Sequence, residues 1–465
     1  MRRSDFFKHG FVASLGAGLL PSIPLAKTFT LKDAGKAKNI IFLVSDGMSS
    51  GTLSMADQLR YRRDGKGSNW LDLYREQRAV RGLMDMASLN SLVTDSAAAS
   101  SSWGGGHRVN NGAINMSPDG QKYTPILQKF KDAGKAVGCV TSVPITHATP
   151  AGFSVATEAR GDQSKIAELY LERRYDVMLG AGTEFFHVDH RSDSRDLFGD
   201  FTNAGYTVLT HRDELKNTHS STGPVLGVFN KESIPYYIDH LNTPDDLSRV
   251  PTLAEMTDHA LRVLSGNADG FVVQIEGGKV DWAAHGNDAA GLLYDQLAFD
   301  DAVGVALAFA EGRDDTLVVL TSDHGNANPG LLSGSDANEK FERLLSFKHS
   351  NDWILQGLNE SSTLAQIRER IEFANGQQIT ETEAEALQSS LKGTYKTLYR
   401  PMQNPPEVLG AIMTNYTKIG FVGDNHTSDY TELAMIGPGM EDMPAFIKNI
   451  DLHSFLLQVA GVEAK

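Results

Sequence analysis

At 465 residues, with 41% hydrophobic and 22% charged side chains, the chain has the composition of a globular protein, either one large domain with insertions or two domains. Its net charge of -15 argues against nucleic acid as a partner, because phosphate backbones need a basic footprint, yet it allows a small anion held through bound divalent cations. A single cysteine, Cys139, excludes an intramolecular disulfide, and its apolar neighbours mark it as an inert buried thiol.

In chain order, Arg2, Arg3 and Lys8 precede an apolar stretch over residues 11–25, which reads as a secretory signal over 1–26. The arginine pair followed by Phe6-Phe7 suggests the twin-arginine route, although Ser4-Asp5 puts two residues where that motif usually has one. No later stretch approaches the ~20 apolar residues of a membrane span. The mature chain is therefore expected to be exported and soluble, periplasmic or extracellular. Apolar runs at 39–45, 136–143, 176–179, 224–229, 271–275, 316–322 and 432–436 predict strands, with helical patterns at 123–133, 163–173, 252–264 and 288–311 between them. Such alternation implies an α/β fold, a central, mostly parallel sheet with helices on both faces. Between His324 and His426 it gives way to helical patterns at 363–373 and 381–391, the second opened by a Thr380/Glu383 capping box. This stretch, about 326–425, reads as a helical insertion near the rim where the strands end: a lid, an oligomer contact or a passive excursion.

Three apolar runs end in acidic residues: 39–45 in Asp46, 271–275 in Glu276 with Asp281 and His285 beyond, and 316–322 in Asp323-His324. Ligands of open α/β sheets bind outside the carboxyl ends of the strands. These ends therefore bring carboxylates and imidazoles to one rim, where they repel unless cations hold them. A multi-metal site is the economical reading. If a helix starts near Val280, Asp281 and His285 share one face and can chelate one ion. Asp323 and His324 can reach one metal only through a turn, which Gly325 permits. Ser96, followed by three alanines, marks a helix start whose N–H groups and dipole stabilise an anion, although a serine there is usually only an N-cap. No basic side chain adjoins Ser96, so its activation would fall to a metal. His187, Asp189 and His190 read as an exposed polar loop, with an accessory-ion site as the alternative. The run from Trp103 to Arg108 reads as a flexible glycine turn without the strand-then-helix setting of a phosphate loop.

Ser45-Asp46-Gly47-Met48, Thr94-Asp95-Ser96-Ala97-Ala98, His147-Ala148-Thr149-Pro150, Glu276-Gly277-Gly278-Lys279-Val280-Asp281 and Asp323-His324 together resemble the alkaline phosphatase family, in that family's order. The resemblance implies an alkaline-phosphatase-like three-layer α/β sandwich as one domain over 27–465. It also implies two zinc ions, one magnesium ion, and hydrolysis of phosphate monoesters through a phosphoserine intermediate. Position by position, it makes Ser96 the nucleophile. Asp281, His285 and His426 would hold the first zinc, Asp46, Asp323 and His324 the second, and Asp46, Thr149 and Glu276 the magnesium. Arg160, thirteen residues after His147, takes the place of the phosphate-clamping arginine, with Asp95 beside it in the substrate-binding set. A planar guanidinium suits that role because it can donate two parallel hydrogen bonds. His147 and Trp282 stand behind the ligands, where family members vary. Neither supplies the negative charge that favours magnesium, and Trp282 supplies no cation, which predicts weaker retention of product phosphate. The family is commonly homodimeric. Rival readings are a phosphodiesterase or phosphonate hydrolase on the same frame, and a non-catalytic phosphate-binding protein.

Overall fold

The computed structural model describes residues 29, 31–218 and 223–463; the expected signal segment, 1–26, lies outside them. Eight strands come in chain order: β1 (Asn39–Ser45), β2 (Val80–Asp85), β3 (Ala136–Pro144), β4 (Val177–Ala181), β5 (Thr207–Leu209), β6 (Val225–Val228), β7 (Phe271–Gly277) and β8 (Thr316–Thr321). Two later strands, Thr431–Ile436 and Phe446–Lys448, complete a ten-stranded sheet. Its order runs Phe446–Lys448, β2, Thr431–Ile436, β8, β1, β7, β3, β4, β6, β5. Among these, only Thr431–Ile436 runs against its neighbours, pairing antiparallel with β8 and β2.

The central strands are fully buried, as continuous apolar runs require when both faces are covered. Their side chains alternate between two cores. Ile41, Leu43, Val273, Ile275, Val318 and Leu320 pack under the helices Leu253–Leu264 and Ala289–Ala310. Ile40, Phe42, Val44, Val272, Leu317 and Val319 face the helices Ser96–Gly105 and Asn449–Val459. Local chemistry sets the helix starts: capping boxes pair Thr252 with Glu255, Thr363 with Gln366 and Thr380 with Glu383, and Asp288 caps the long helix that follows it. Between 326 and 425 the chain is mainly helical, and Phe341, Ile354, Ile367, Leu387 and Leu409 from it join the core that contains Ile41.

Three strands escape a reading by apolar runs. β2 alternates exposed and buried residues, and β5 and Phe446–Lys448 have three residues each. The glycine run also differs from its expected turn. Trp103, Gly104 and Gly105 are buried inside the Ser96–Gly105 helix, and the turn comes only at Gly106. The glycines are there for close approach. A Cβ on Gly104 would lie 1.8 Å from the Gly152 carbonyl oxygen, and one on Gly152 would lie 2.0 Å from Ser100 Oγ. The Ser96–Gly105 and Ala148–Ser154 helices thus meet backbone to backbone, and Asn115 Nδ2 seals the contact by donating to the Gly152 and Val155 carbonyls at 2.6 and 2.7 Å. Cys139 is buried, and burial pushes its thiol up to about 12.

Gly104→Ala should therefore destabilise the fold by about 1–3 kcal/mol through overpacking. Chemical denaturation should show a lower midpoint, with reduced activity, because the two helices carry Ser96 and Thr149. An unchanged midpoint would show that this contact yields without cost.

Candidate active site

Four adjacent strands, β8, β1, β7 and β3, end on one rim, with Val44 in register with both Glu276 and Thr321, and Thr141 with Glu276. Asp46 follows β1, Glu276 closes β7, Asp323 and His324 lie just past β8, and His147 and Thr149 lie just past β3. Asp281 and His285 sit one turn apart on the Lys279–His285 helix. His426 arrives on a short strand paired antiparallel with Gly325–Asn326.

These residues form three groups, in each of which the ligand atoms lie within 4.8 Å of one another: Asp281, His285 and His426; Asp46, Asp323 and His324; and Asp46, His147 and Glu276. In the first, His285 Nε2 is 3.4 Å from Asp281 Oδ2 and 3.2 Å from His426 Nε2, which is itself 3.7 Å from Asp281 Oδ1. The outer nitrogens point at carbonyls, His285 Nδ1 at Asp424 O (2.7 Å) and His426 Nδ1 at Thr94 O (2.9 Å). A carbonyl can only accept, so each Nδ1 carries a proton and both Nε2 atoms turn inward. The gap between them needs a proton or a metal. In the second group, His324 Nε2 lies 3.2 Å from Asp323 Oδ2, 3.5 Å from Asp46 Oδ1 and 3.3 Å from Ser96 Oγ. In the third, Thr149 Oγ1 donates to Asp46 Oδ2 at 3.4 Å and Thr141 Oγ1 donates to Glu276 Oε2.

Among the described residues, Asp46 Oδ1, Asp323 Oδ2 and Glu276 Oε1 are buried without a hydrogen-bond partner. Orphaned atoms of this kind are costly, and a cation among the carboxylates is the partner that fits them. The electrostatics agree. Burial, then repulsion from Asp323, Asp281 and Glu276, pushes the Asp46 carboxyl well above its usual range. Burial lifts Glu276 to about 7 against its hydrogen bonds. Burial disfavours the charged form of His285, but the Asp281 hydrogen bond and charge outweigh it and raise the imidazole to about 9.

Ser96 is the first residue of its helix, and the cap is Asp95, whose side chain accepts from Ala98 N–H at 2.9 Å. The Ser96 hydroxyl is thereby left to face His324. Asp95 Oδ2 also accepts from Gly112 N–H (3.0 Å) and from Arg160 Nη1 (3.1 Å). Arg160 Nη2 donates to His147 Nε2 at 3.2 Å, and burial, then the guanidinium, lowers His147 to about 3, so it stays neutral. Trp282 stands edge-on to His147, ring centroids 6.1 Å apart.

β8 stops at Thr321, so Asp323 and His324 leave the pleat before they need to point the same way. Gly325 serves a different purpose from the expected turn: a Cβ there would lie 2.5 Å from Thr427 Oγ1 and 2.3 Å from Asp429 Oδ2. The glycine that needs the left-handed region is Gly47, at φ 66°, where a Cβ would lie 2.5 Å from Asp281 Oδ1. Sequence reasoning passed over Asn326, whose Nδ2 donates to Asp281 Oδ1 at 2.7 Å, and it set His147 behind the ligands rather than within reach of Asp46 and Glu276. Their signals were slight: Asn326 follows His324 by two positions, and His147 sits three residues past a strand end. His187 Nδ1 and Asp189 Oδ2 are 3.7 Å apart on exposed side chains, outside every metal-capable group among the described residues.

A family model described as alkaline phosphatase matches residues 37–454. The chain is 28% identical to alkaline phosphatase 4 of Bacillus subtilis over 96% of this chain and 95% of that one. It is 32% identical to the streptomycin-6-phosphate phosphatase of Streptomyces griseus over 68% and 80%. The crystal structure of Thermus thermophilus alkaline phosphatase aligns at a TM-score of 0.88 and 30% identity, covering 97% of each chain.

After chelation, the protein should lose stability as pH rises past 6.5. Glu276 is neutral up to about 7 in the fold but ionises above 4.5 when unfolded, so its cost grows across that interval. The His285 contribution is complete below its unfolded value of 6.5 and disappears as pH rises through about 9. Below pH 6.5 the low values of His147 and His426 oppose Glu276, so thermal unfolding of chelated protein should show a midpoint that falls between about pH 6.5 and 9 and flattens when metal is restored. A midpoint that rises with pH over that range in the chelated protein would contradict this balance of charges.

Proposed function

The chain belongs to the alkaline phosphatase family and hydrolyses phosphate monoesters, and from that premise we propose that Ser96 is the nucleophile, Arg160 the phosphate clamp and the three side-chain groups the metal sites. The observation that carries the reading is the Ser96 hydroxyl, 3.3 Å from His324 Nε2 at the head of a helix, facing a rim of buried carboxylates that lack partners. Two imidazoles with a carboxylate suit zinc at Asp281, His285 and His426, and Asp46, Asp323 and His324 offer a second zinc site beside Ser96. Oxygen donors from Asp46, Glu276 and Thr149 favour magnesium at the third, while the one free lone pair of His147, on Nε2, accepts from Arg160. When bound, the ions would lower the pKa of coordinated oxygen and offset the charge of the transferring phosphoryl group.

The residues then divide the work. Ser96 Oγ forms its bond to phosphorus as the ester bond breaks in line, and the alcohol leaves with a proton. Helix N–H groups and the dipole behind Ser96 stabilise the phosphoserine. Arg160 donates to two non-bridging oxygens, and its fork is already oriented by Asp95 and His147. Water cleaves the phosphoserine, returning the Ser96 proton and releasing inorganic phosphate. We read residues 1–26 as an export signal that places the mature enzyme outside the cytoplasm, and a homodimer as its assembly. No helix among the described residues is long and apolar enough to cross a membrane.

p-Nitrophenyl phosphate should be turned over far faster than bis-p-nitrophenyl phosphate, increasingly so toward alkaline pH, with loss on chelation and recovery with zinc and magnesium. Ser96→Ala should cost at least ~10³-fold in kcat, and Arg160→Ala roughly 10–100-fold in kcat/KM, the value of charged hydrogen bonds to phosphate. A preference for the diester would move the assignment to a phosphodiesterase on the same frame, and metal-loaded protein that binds phosphate without turnover would make it a binding protein. Trp282→Lys should tighten inhibition by inorganic phosphate; an unaltered inhibition constant would remove Trp282 from product release.

A further inference from the structure

A cavity of about 490 Å³ has Trp282, the residue after Asp281, in its wall. Trp282 directly follows Asp281 and stands edge-on to His147, the support of Arg160, so one indole borders both that support and the cavity. In-line transfer puts the leaving oxygen opposite Ser96. Since Ser96 Oγ lies against His324 of the second group, the leaving oxygen falls toward Asp281, His285 and His426, and Trp282 is the residue after Asp281.

The lining of this cavity has a definite chemistry. Tyr236 and Trp353 join Trp282 in it, and Trp353 stacks on His349 at 4.0 Å with the Arg370 guanidinium carbon 3.7 Å from its ring centroid. Four carboxylates, Glu232, Asp239, Asp246 and Asp352, outnumber the two ammonium groups, Lys231 and Lys279. Lys279 shows what these rings accept: its Nζ lies 3.5 Å from the Tyr236 ring centroid and 4.7 Å from that of Trp282, with Ser233 Oγ at 3.2 Å. A cation on aromatic faces is thus already part of the wall, and the surplus of negative charge remains for a second.

We propose that this cavity receives the alcohol part of the ester and selects alcohols that carry a positive charge, an amine or a quaternary ammonium; the inference rests on the phosphatase reading above. The cavity is of the size that holds small ligands, and it offers two kinds of attraction for a cation, ring faces and carboxylates. Asp352 and Trp353 come from the 326–425 segment, which would give that segment a part in substrate choice.

The test compares phosphocholine with 3,3-dimethylbutyl phosphate, which has the same shape without the charge, using p-nitrophenyl phosphate as reference. In the metal-loaded enzyme at low salt, kcat/KM should favour phosphocholine about tenfold, and the preference should shrink as salt is added. Changing the exposed Glu232→Gln and Asp352→Asn together should bring the ratio within about twofold of one, with p-nitrophenyl phosphate turnover unchanged. A wild-type ratio of one or less, with normal p-nitrophenyl phosphate turnover, overturns the proposal while sparing the phosphatase reading. A preference that survives the double change overturns the cavity as its source. Absence of p-nitrophenyl phosphate turnover overturns both.

Discussion

Four carboxylates, those of Asp46, Glu276, Asp281 and Asp323, are buried together where three parallel strands end, and that concentration of like charge is the constraint on which the rest of the structure turns. Buried anions this close cannot all remain ionised without positive partners. Some of that charge is met inside the protein, by the His285 imidazole beside Asp281 and by the Gly47 N–H, which donates to Asp323 Oδ1 at 2.9 Å. His324 Nε2 between Asp323 and Asp46, and hydroxyls on Asp46 and Glu276, meet a further part, yet among the described residues Asp46 Oδ1, Asp323 Oδ2 and Glu276 Oε1 have no hydrogen bond. The sheet core is dense and apolar enough to impose this arrangement, since Ile41, Leu43, Val273 and Leu320 bury the strands that carry the acids.

The central architecture was legible because the core strands are apolar along their length and three of them, β1, β7 and β8, run into an acid, a pattern that names both the strand and the rim. The edge was not. β2 shows one face to water, so its apolar residues do not form a run, and Phe446–Lys448 is too short to carry a period. Direction is also invisible in composition: Thr431–Ile436 reads like its parallel neighbours yet runs the other way. Within the site, Asp281 and His285 follow from helical spacing, whereas His426 gains its place only from a pairing with Gly325–Asn326 that no local pattern announces. The roles of the glycines were the hardest to read, because whether a missing side chain serves a turn or a contact depends on what lies opposite, as Gly47, Gly104 and Gly325 each illustrate.

Arg160 shows how the protein separates holding a group from using it. Asp95 caps the Ser96 helix with one oxygen and steadies the guanidinium with the other, so the serine and the arginine share a single anchor. His147, kept neutral by burial and by Arg160, supplies the other support without adding charge. Orientation of this kind is what lets binding energy go into geometry rather than into ordering flexible side chains.

The order in which the ligands occur along the chain has a kinetic consequence. Asp281 and His285 share one helix while His426 lies 141 positions beyond His285, so the first group stays incomplete until that long connection has folded back. Such sites can capture an ion only after the last loop has closed, and a captured ion then ties together segments far apart in sequence, where a tether restricts the unfolded chain most. Metal uptake would thus come at the end of maturation and act as a latch, so that durability is set by how rarely the latch opens rather than by the apolar core alone.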